Sequence, residues 1–260
     1  DLPHLLLKPR IAAPARDAHK YTRGLLGVVQ GAMPGAARLA ARAAQHAGAG
    51  YVKLIGGGAG NLPDDLVADS RDPAEVLADP RFSALLIGPG LGQGERSPAL
   101  LERAMAHDLP AVLDADALCG RLPVLLARQT RPVIATPHEG EFARLAAIFG
   151  SSVSGTKIER ARDLARVCGM VIVAKGPDTV IAAPDGRTAI APQNCSWLST
   201  AGTGDVLAGT IASRLATGPD AFVAACEGVW LHGEAARLSP PAFTAGQLAA
   251  AIQPALASCL

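Results

Sequence analysis

Short apolar runs, many of them β-branched, recur along the chain, and each stops at Gly, Asp or Pro before a stretch with helical spacing. Leu25 to Val29 ends at Gly31, and Ala36 to Ala47 follows as an Ala-rich helix. Tyr51 to Ile55 ends at Gly56-Gly57-Gly58, and Leu85 to Ile87 runs into Gly88-Pro89-Gly90-Leu91-Gly92. Ala111 to Leu113 meets Asp114, Val133 to Ala135 meets Thr136-Pro137-His138, and Val171 to Ala174 meets Lys175-Gly176. A strand with one wet face alternates apolar and polar residues, whereas these runs, Lys53 excepted, are apolar throughout. The pattern predicts an α/β fold with a parallel sheet covered by helices on both faces. Thr179 to Ala183 and Thr188 to Ile190, split by Pro184-Asp185-Gly186, read instead as an antiparallel hairpin turning at Asp-Gly. From Val206 onward the spacing is helical, with Leu207, Ile211 and Leu215 on one face and a second helix over Ala221 to Leu238. No repeat, low-complexity tract or linker interrupts the chain, so residues 1–260 read as one domain.

Ligands of such sheets bind beyond the carboxyl ends of the strands, which is where the Gly, Asp, His and Lys clusters fall. Charge excludes two classes of partner. Lys and Arg number 24 against 23 Asp and Glu, and no basic run marks a nucleic-acid or anionic-membrane surface. No apolar run reaches spanning length, and residues 1–10 lack the pattern of a signal peptide. Five cysteines at 119, 168, 195, 226 and 259 form no C-x-x-C pair, which points to reduced thiols and a cytoplasmic protein. The chain begins with Asp, so further residues are expected upstream, either a few or a whole fused domain.

Two phosphate motifs are absent. No Lys follows a Gly, which removes the P-loop, and Gln93 and Glu95 stand where a dinucleotide fingerprint after Gly88 and Gly90 needs glycine. The sharpest signal is Thr200-Ala201-Gly202-Thr203-Gly204-Asp205 running into a helix. Small residues there leave backbone N–H groups uncovered, and the helix adds its positive end, which suits a phosphate or a developing oxyanion. Asp205 in the first turn can take a proton from an attacking hydroxyl, or it can be an ordinary helix-start residue. His138 and the glutamates of Thr136-Pro137-His138-Glu139-Gly140-Glu141 either start a helix packed down by Phe142 and Leu145 or reach a substrate. Asp114 and Asp116 can orient substrate, hold a Mg²⁺-bound water or cap the next helix. Lys175, one of only five lysines, sits in Lys175-Gly176-Pro177-Asp178-Thr179 and either meets a nucleotide phosphate or is a solvated turn residue.

Taken in order, these segments resemble the nicotinamide-nucleotide hydrate dehydratases, whose members are ribokinase-like three-layer α/β/α sandwiches. The match runs through His19-Lys20 with Arg23-Gly24, Pro34-Gly35-Ala36-Ala37, Gly88-Pro89-Gly90-Leu91-Gly92, Asp114-Ala115-Asp116-Ala117-Leu118, the Thr136 to Glu141 segment, Lys175 to Thr179, and Gly202-Thr203-Gly204-Asp205-Val206-Leu207-Ala208-Gly209. The resemblance implies that ADP or ATP, with Mg²⁺, phosphorylates the hydroxyl of hydrated NADH or NADPH (NADHX or NADPHX), after which phosphate leaves. It assigns the base to Asp205 and the phosphoryl cradle to Gly202, Thr203 and Gly204. Nucleotide contacts fall to Lys175, Gly176, Pro177, Asp178, Thr179 and Gly204, and the hydrate pocket to Ala36, Gly90, His138 and Asp205. It also implies a homo-oligomer, commonly a tetramer, and a partner epimerase acting on the same damaged cofactors. One departure is local: Val29-Gln30-Gly31-Ala32-Met33 is short and lacks the aromatic residue that relatives carry before Pro-Gly-Ala-Ala. A small-molecule kinase of the same superfamily would share Gly202 to Asp205, and a non-catalytic nucleotide sensor would have no need of a base at position 205.

Overall fold

The computed structural model describes residues 3–57, 62–192 and 195–260, so Gly58 of the expected glycine turn lies outside the described residues. Ten strands among the described residues form one sheet. Its order is β1 (His4–Leu5), β10 (Thr188–Ile190), β9 (Val180–Ala182), β8 (Val171–Ala174), β7 (Val133–Ala135), β6 (Ala111–Leu113), β5 (Phe82–Ile87), β2 (Leu25–Val29), β3 (Tyr51–Ile55) and β4 (Val67–Asp69). Neighbours pair in parallel except at the two contacts of β9, with β8 and with β10. The expected hairpin is therefore β9–β10, and its turn closes through the Gly186 N–H on the Ala183 carbonyl.

Each central strand sends alternate residues to opposite layers, as a pleated strand must. On β2, Leu26 and Val28 face α1 (Pro34–His46), α7 (Thr203–Ala216) and α8 (Ala221–Leu238), with α9 (Ala245–Ala257) packed outside them. Leu25 and Val29 face the other layer, built from α2 (Pro73–Leu77), α3 (Ser97–Ala104), α4 (Leu122–Leu126), α5 (Glu139–Phe149) and α6 (Lys157–Cys168). The result is the three-layer α/β/α sandwich that the unbroken apolar runs predict. Fully buried side chains such as Leu26, Leu54 and Leu86 each contribute about 1.5–3 kcal/mol.

Helix α1 starts two residues earlier than its Ala-rich stretch suggests. Pro34 takes the first helical position, where its missing N–H costs nothing. Helices α1 and α7 then cross almost backbone to backbone: a Cβ on Gly209 would stand 2.0 Å from the Ala40 carbonyl oxygen. That contact seats the N-terminal turns of both helices beside one another at the carboxyl edge of the sheet. Gly202, at the start of α7, accordingly lies against Leu39 of α1 and Ala245 of α9.

Candidate active site

Gly202 precedes α7 in a left-handed conformation, φ 92°, which a Cβ would strain, and no side chain caps the helix. The Thr203 side chain turns away from the rim. Its Oγ1 lies 2.7 Å from the Leu198 carbonyl and 2.9 Å from that of Thr200, and its N–H is spent on the Thr200 carbonyl at 3.3 Å. The N–H groups of Gly204 and Asp205, by contrast, have no acceptor among the described residues. Of the expected Gly202-Thr203-Gly204 set, Gly202 and Gly204 thus keep unspent N–H groups among the described residues and Thr203 does not, while Asp205 adds one.

Lys175 leaves the end of β8 and is held by the Asp114 carboxylate at 2.7 Å, with Glu141 at 3.8 Å. Its ammonium also sits 3.7 Å from where a Cβ on Gly204 would be, beside the first turn of α7. Asp114 is 2% exposed and accepts a second bond, from the Thr136 hydroxyl at 2.7 Å. Asp205 has no such partner among the described residues. Burial pushes its carboxyl up to about 6, the Asp114 charge pushes the same way, and Lys175 opposes them. Of two neighbouring aspartates, one is therefore tied up and the other is left basic near neutral pH.

The 175–179 turn adjoins this centre. A cavity of about 360 Å³ opens between Lys175, Gly176, Pro177 and Thr179 on one side and Thr203 and Gly204 on the other. Asp178 does not line it and is instead bonded to Lys157 at 2.9 Å. Lys157 also donates to the Asp178 carbonyl at 3.0 Å and to that of Lys175 at 3.4 Å, so it pins the turn from α6. Deeper in the cavity, His232 of α8 is bonded through Nε2 to the Thr203 carbonyl at 2.9 Å, and burial pulls its imidazole down to about 4. Sequence reasoning named neither residue in the site. The scarcity of lysine was a signal for Lys157, whereas nothing in sequence marked His232.

The remaining expected residues stand on the same rim toward β5. Gly90 (φ 67°) receives the Met33 N–H on its carbonyl at 2.9 Å, and a Cβ there would meet the Met33 carbonyl at 2.1 Å and the Ala36 methyl at 3.0 Å. Ala36 is thereby placed against Gly90 in the first turn of α1. His138 caps α5, accepting the Gly140 and Glu141 N–H groups on Nδ1 at 3.0 and 3.3 Å, while Glu141 accepts the His138 N–H at 2.8 Å. Its ring is 59% exposed at the rim, so the helix-start role is visible and a face stays open to a ligand. Asp116 is turned elsewhere, onto the Gly92 N–H and the Gln93 amide, both at 3.0 Å.

This three-layer sandwich, with an uncapped helix start, a lysine and an aspartate on its carboxyl rim, has the ribokinase-like fold. A ribokinase-like superfamily protein from Enterococcus faecalis shares the fold at a TM-score of 0.79 and 23% identity, covering 96% of this chain and 92% of that one. A sequence model of NAD(P)H-hydrate dehydratase matches residues 26–257, and the chain belongs to that family. The ADP-dependent (S)-NAD(P)H-hydrate dehydratase of Neisseria meningitidis is 38% identical over 94% of this chain and 87% of its own length. The bifunctional NAD(P)H-hydrate repair enzyme of Mycobacterium tuberculosis is 39% identical over 80% of this chain, which spans only 44% of that protein. The ADP/ATP-dependent NAD(P)H-hydrate dehydratase of Bacillus subtilis, co-crystallised with ATP/Mg²⁺, superposes with a TM-score of 0.81 at 31% identity, covering 96% of this chain and 95% of that one.

Proposed function

We propose that this chain restores hydrated NADH and NADPH by nucleotide-dependent dehydration, a carbon–oxygen lyase reaction, with ADP or ATP as phosphoryl donor. The observation that carries the mechanism is Asp205: an aspartate whose carboxyl titrates at about 6, in the first turn of a helix whose Gly204 and Asp205 N–H groups have no acceptor among the described residues. At pH 7 about nine-tenths of it is ionised and it still has appreciable basicity, which is what a general base needs. It takes the proton of the hydrate's hydroxyl as that oxygen attacks the terminal phosphorus and the bond to the nucleotide's bridging oxygen breaks. The Gly204 and Asp205 N–H groups and the Lys175 ammonium face the charge carried by the transferring group. The phosphorylated ring carbon then loses phosphate and the ring gives up a proton, restoring the dihydronicotinamide double bond. Lys175 to Thr179 with Gly202, Thr203 and Gly204 form the nucleotide side, and Ala36, Gly90, His138 and Asp205 the hydrate side.

Among the described residues no cluster of three His, Cys, Asp or Glu side chains cages a metal. A Mg²⁺ would arrive on the nucleotide phosphates and keep several of its waters, and Asp114, already bonded to Lys175 and Thr136, would meet it through such a water. Such an ion supplies charge neutralisation of the phosphates.

Cytoplasmic residence, a homo-tetrameric state and action beside an epimerase belong to the same proposal. Five free cysteines support the first, and the longer bifunctional repair enzyme supports the last. The deciding experiment incubates the protein with hydrated NADH, Mg²⁺ and either nucleotide. Dihydronicotinamide absorbance should return with one phosphate released per cofactor. A stable phosphorylated product from a vitamin or sugar, with no action on the hydrate, would overturn this reading.

A further inference from the structure

A second cavity, of about 460 Å³, opens on the same rim on the layer opposite α7. It lies between the Gly88–Gly92 turn, the start of α3 and the outer face of α5. Leu91, Leu118 and Ile148 give it apolar walls, and Gln93, Asp116 and Arg144 give it polar groups, a size and mix suited to a small organic ligand. Arg144 is exposed and makes no ion pair or hydrogen bond among the described residues. Other arginines of this layer are engaged, Arg121 with Glu102 and Arg160 with Glu139.

Three consecutive residues join this cavity to the reaction centre. Asp114 holds Lys175, while Asp116 accepts the Gly92 N–H and the Gln93 amide at the cavity floor. Between them Ala115 is held at φ 47°, a conformation that costs a non-glycine residue energy and persists only where its surroundings impose it. Its effect is to turn successive carboxylates to two sides, one toward the transferring phosphate and one toward the cavity. Gly90, on the hydrate side, is two residues from Gly92.

Resting on the dehydratase reading, the substrate is a dinucleotide. With its hydrated ring between Asp205 and Gly90 and the phosphoryl donor at Lys175 to Thr179, its adenosine half must extend along the rim away from the donor. We propose that the cavity between the Gly88–Gly92 turn and α5 receives that adenosine half, and that Arg144 meets the 2′-phosphate that separates hydrated NADPH from hydrated NADH. A guanidinium suits a phosphate because it offers paired N–H donors and a permanent charge.

Two variants and one probe test this. Gly120 lines the cavity, and a Cβ there meets nothing within 4 Å, so Gly120→Trp, or the smaller Gly120→Leu, grows into open space. Either should raise KM for both hydrated dinucleotides, about tenfold for Trp, and should affect hydrated nicotinamide mononucleotide far less. Arg144→Ala should raise KM for hydrated NADPH at least about tenfold more than for hydrated NADH, with Arg144→Lys recovering part of the loss. Adenosine 2′,5′-bisphosphate should bind the wild type by calorimetry, compete with the hydrate and not with the nucleotide, and bind Arg144→Ala more weakly. Equal shifts for both hydrates in Arg144→Ala, or equal slowing of mononucleotide and dinucleotide in the Gly120 variants, overturns the assignment. A wild type that dehydrates neither hydrate counts against the dehydratase reading instead, and calorimetry then still decides whether the cavity holds the adenosine bisphosphate.

Discussion

Two aspartates at opposite edges of the sheet are treated in opposite ways. At the amino edge, before β5, the Asp79 carboxylate is gripped by the Arg81 guanidinium and its titration is pulled down to about 2. Toward the same edge, Arg214 in the last turn of α7 and Glu227 of α8 form a buried pair at 2.7 Å. At the carboxyl edge, Asp205 is partly buried with no guanidinium and is raised to about 6. An aspartate's basicity is thus a property of its position: a guanidinium saturates Asp79, whereas Asp205 is partly buried beside a second carboxylate.

That contrast is exposed to three measurements. The largest effect belongs to Asp205→Asn, which preserves size and the free N–H groups but removes the base. Turnover should fall by about two to four orders of magnitude while nucleotide affinity survives. Near-normal turnover in a folded sample would reduce Asp205 to a helix-start residue and erase the difference between the edges.

The complementary change is Arg214→Ala at the amino edge, which strands the Glu227 carboxylate in a buried site. Stability should drop by about 3–5 kcal/mol and the melting temperature by on the order of 10 °C, with turnover per folded molecule close to wild type. A large loss of turnover in the folded fraction would show that the two edges are coupled.

The smallest effects are those of pH. Wild-type turnover should fall as pH drops through about 6, up to about tenfold per unit, and Asp205→Asn should lack that step in its residual rate. Because folding raises the Asp205 titration point, the stability it lends is complete below about pH 4 and lost as pH rises through about 6. Asp205→Asn should therefore melt higher at pH 7.5, by roughly 2–4 °C once solvent screening of this partly exposed group is allowed for, and the gain should vanish below pH 4. For Asp79 the folded titration point is lowered, so its contribution is present above about pH 4 and lost as pH falls through about 2. An equal pH dependence at both sites would break the comparison.

Much of this was legible in the chain. Runs such as Leu25 to Val29 and Val171 to Ala174, apolar at every position, can only be strands covered on both faces, and the hairpin turn at Asp185-Gly186 is local chemistry. The short edge strands β1 and β4 were not read, because two or three residues carry no periodicity and become strands only by pairing with β10 and β3. Within the site, Gly202 to Asp205 was visible because small residues before a helix are an unusual local pattern. That the Thr203 N–H is already spent on Thr200, and that His138 caps α5, depended on how the flanking turns close.

Sequence alone determined the layered sheet, the rim on which the polar clusters collect, and the residue types available for phosphoryl chemistry, since all three follow from local pattern and connectivity. Only the tertiary structure decided which carboxylate is free. Asp114 lies 61 residues from Lys175, yet the two ends of β6 and β8 bring them to 2.7 Å and leave Asp205 unpaired. The physical reason is that basicity depends on burial and on charges a few ångströms away, and those distances do not exist until the strands are side by side.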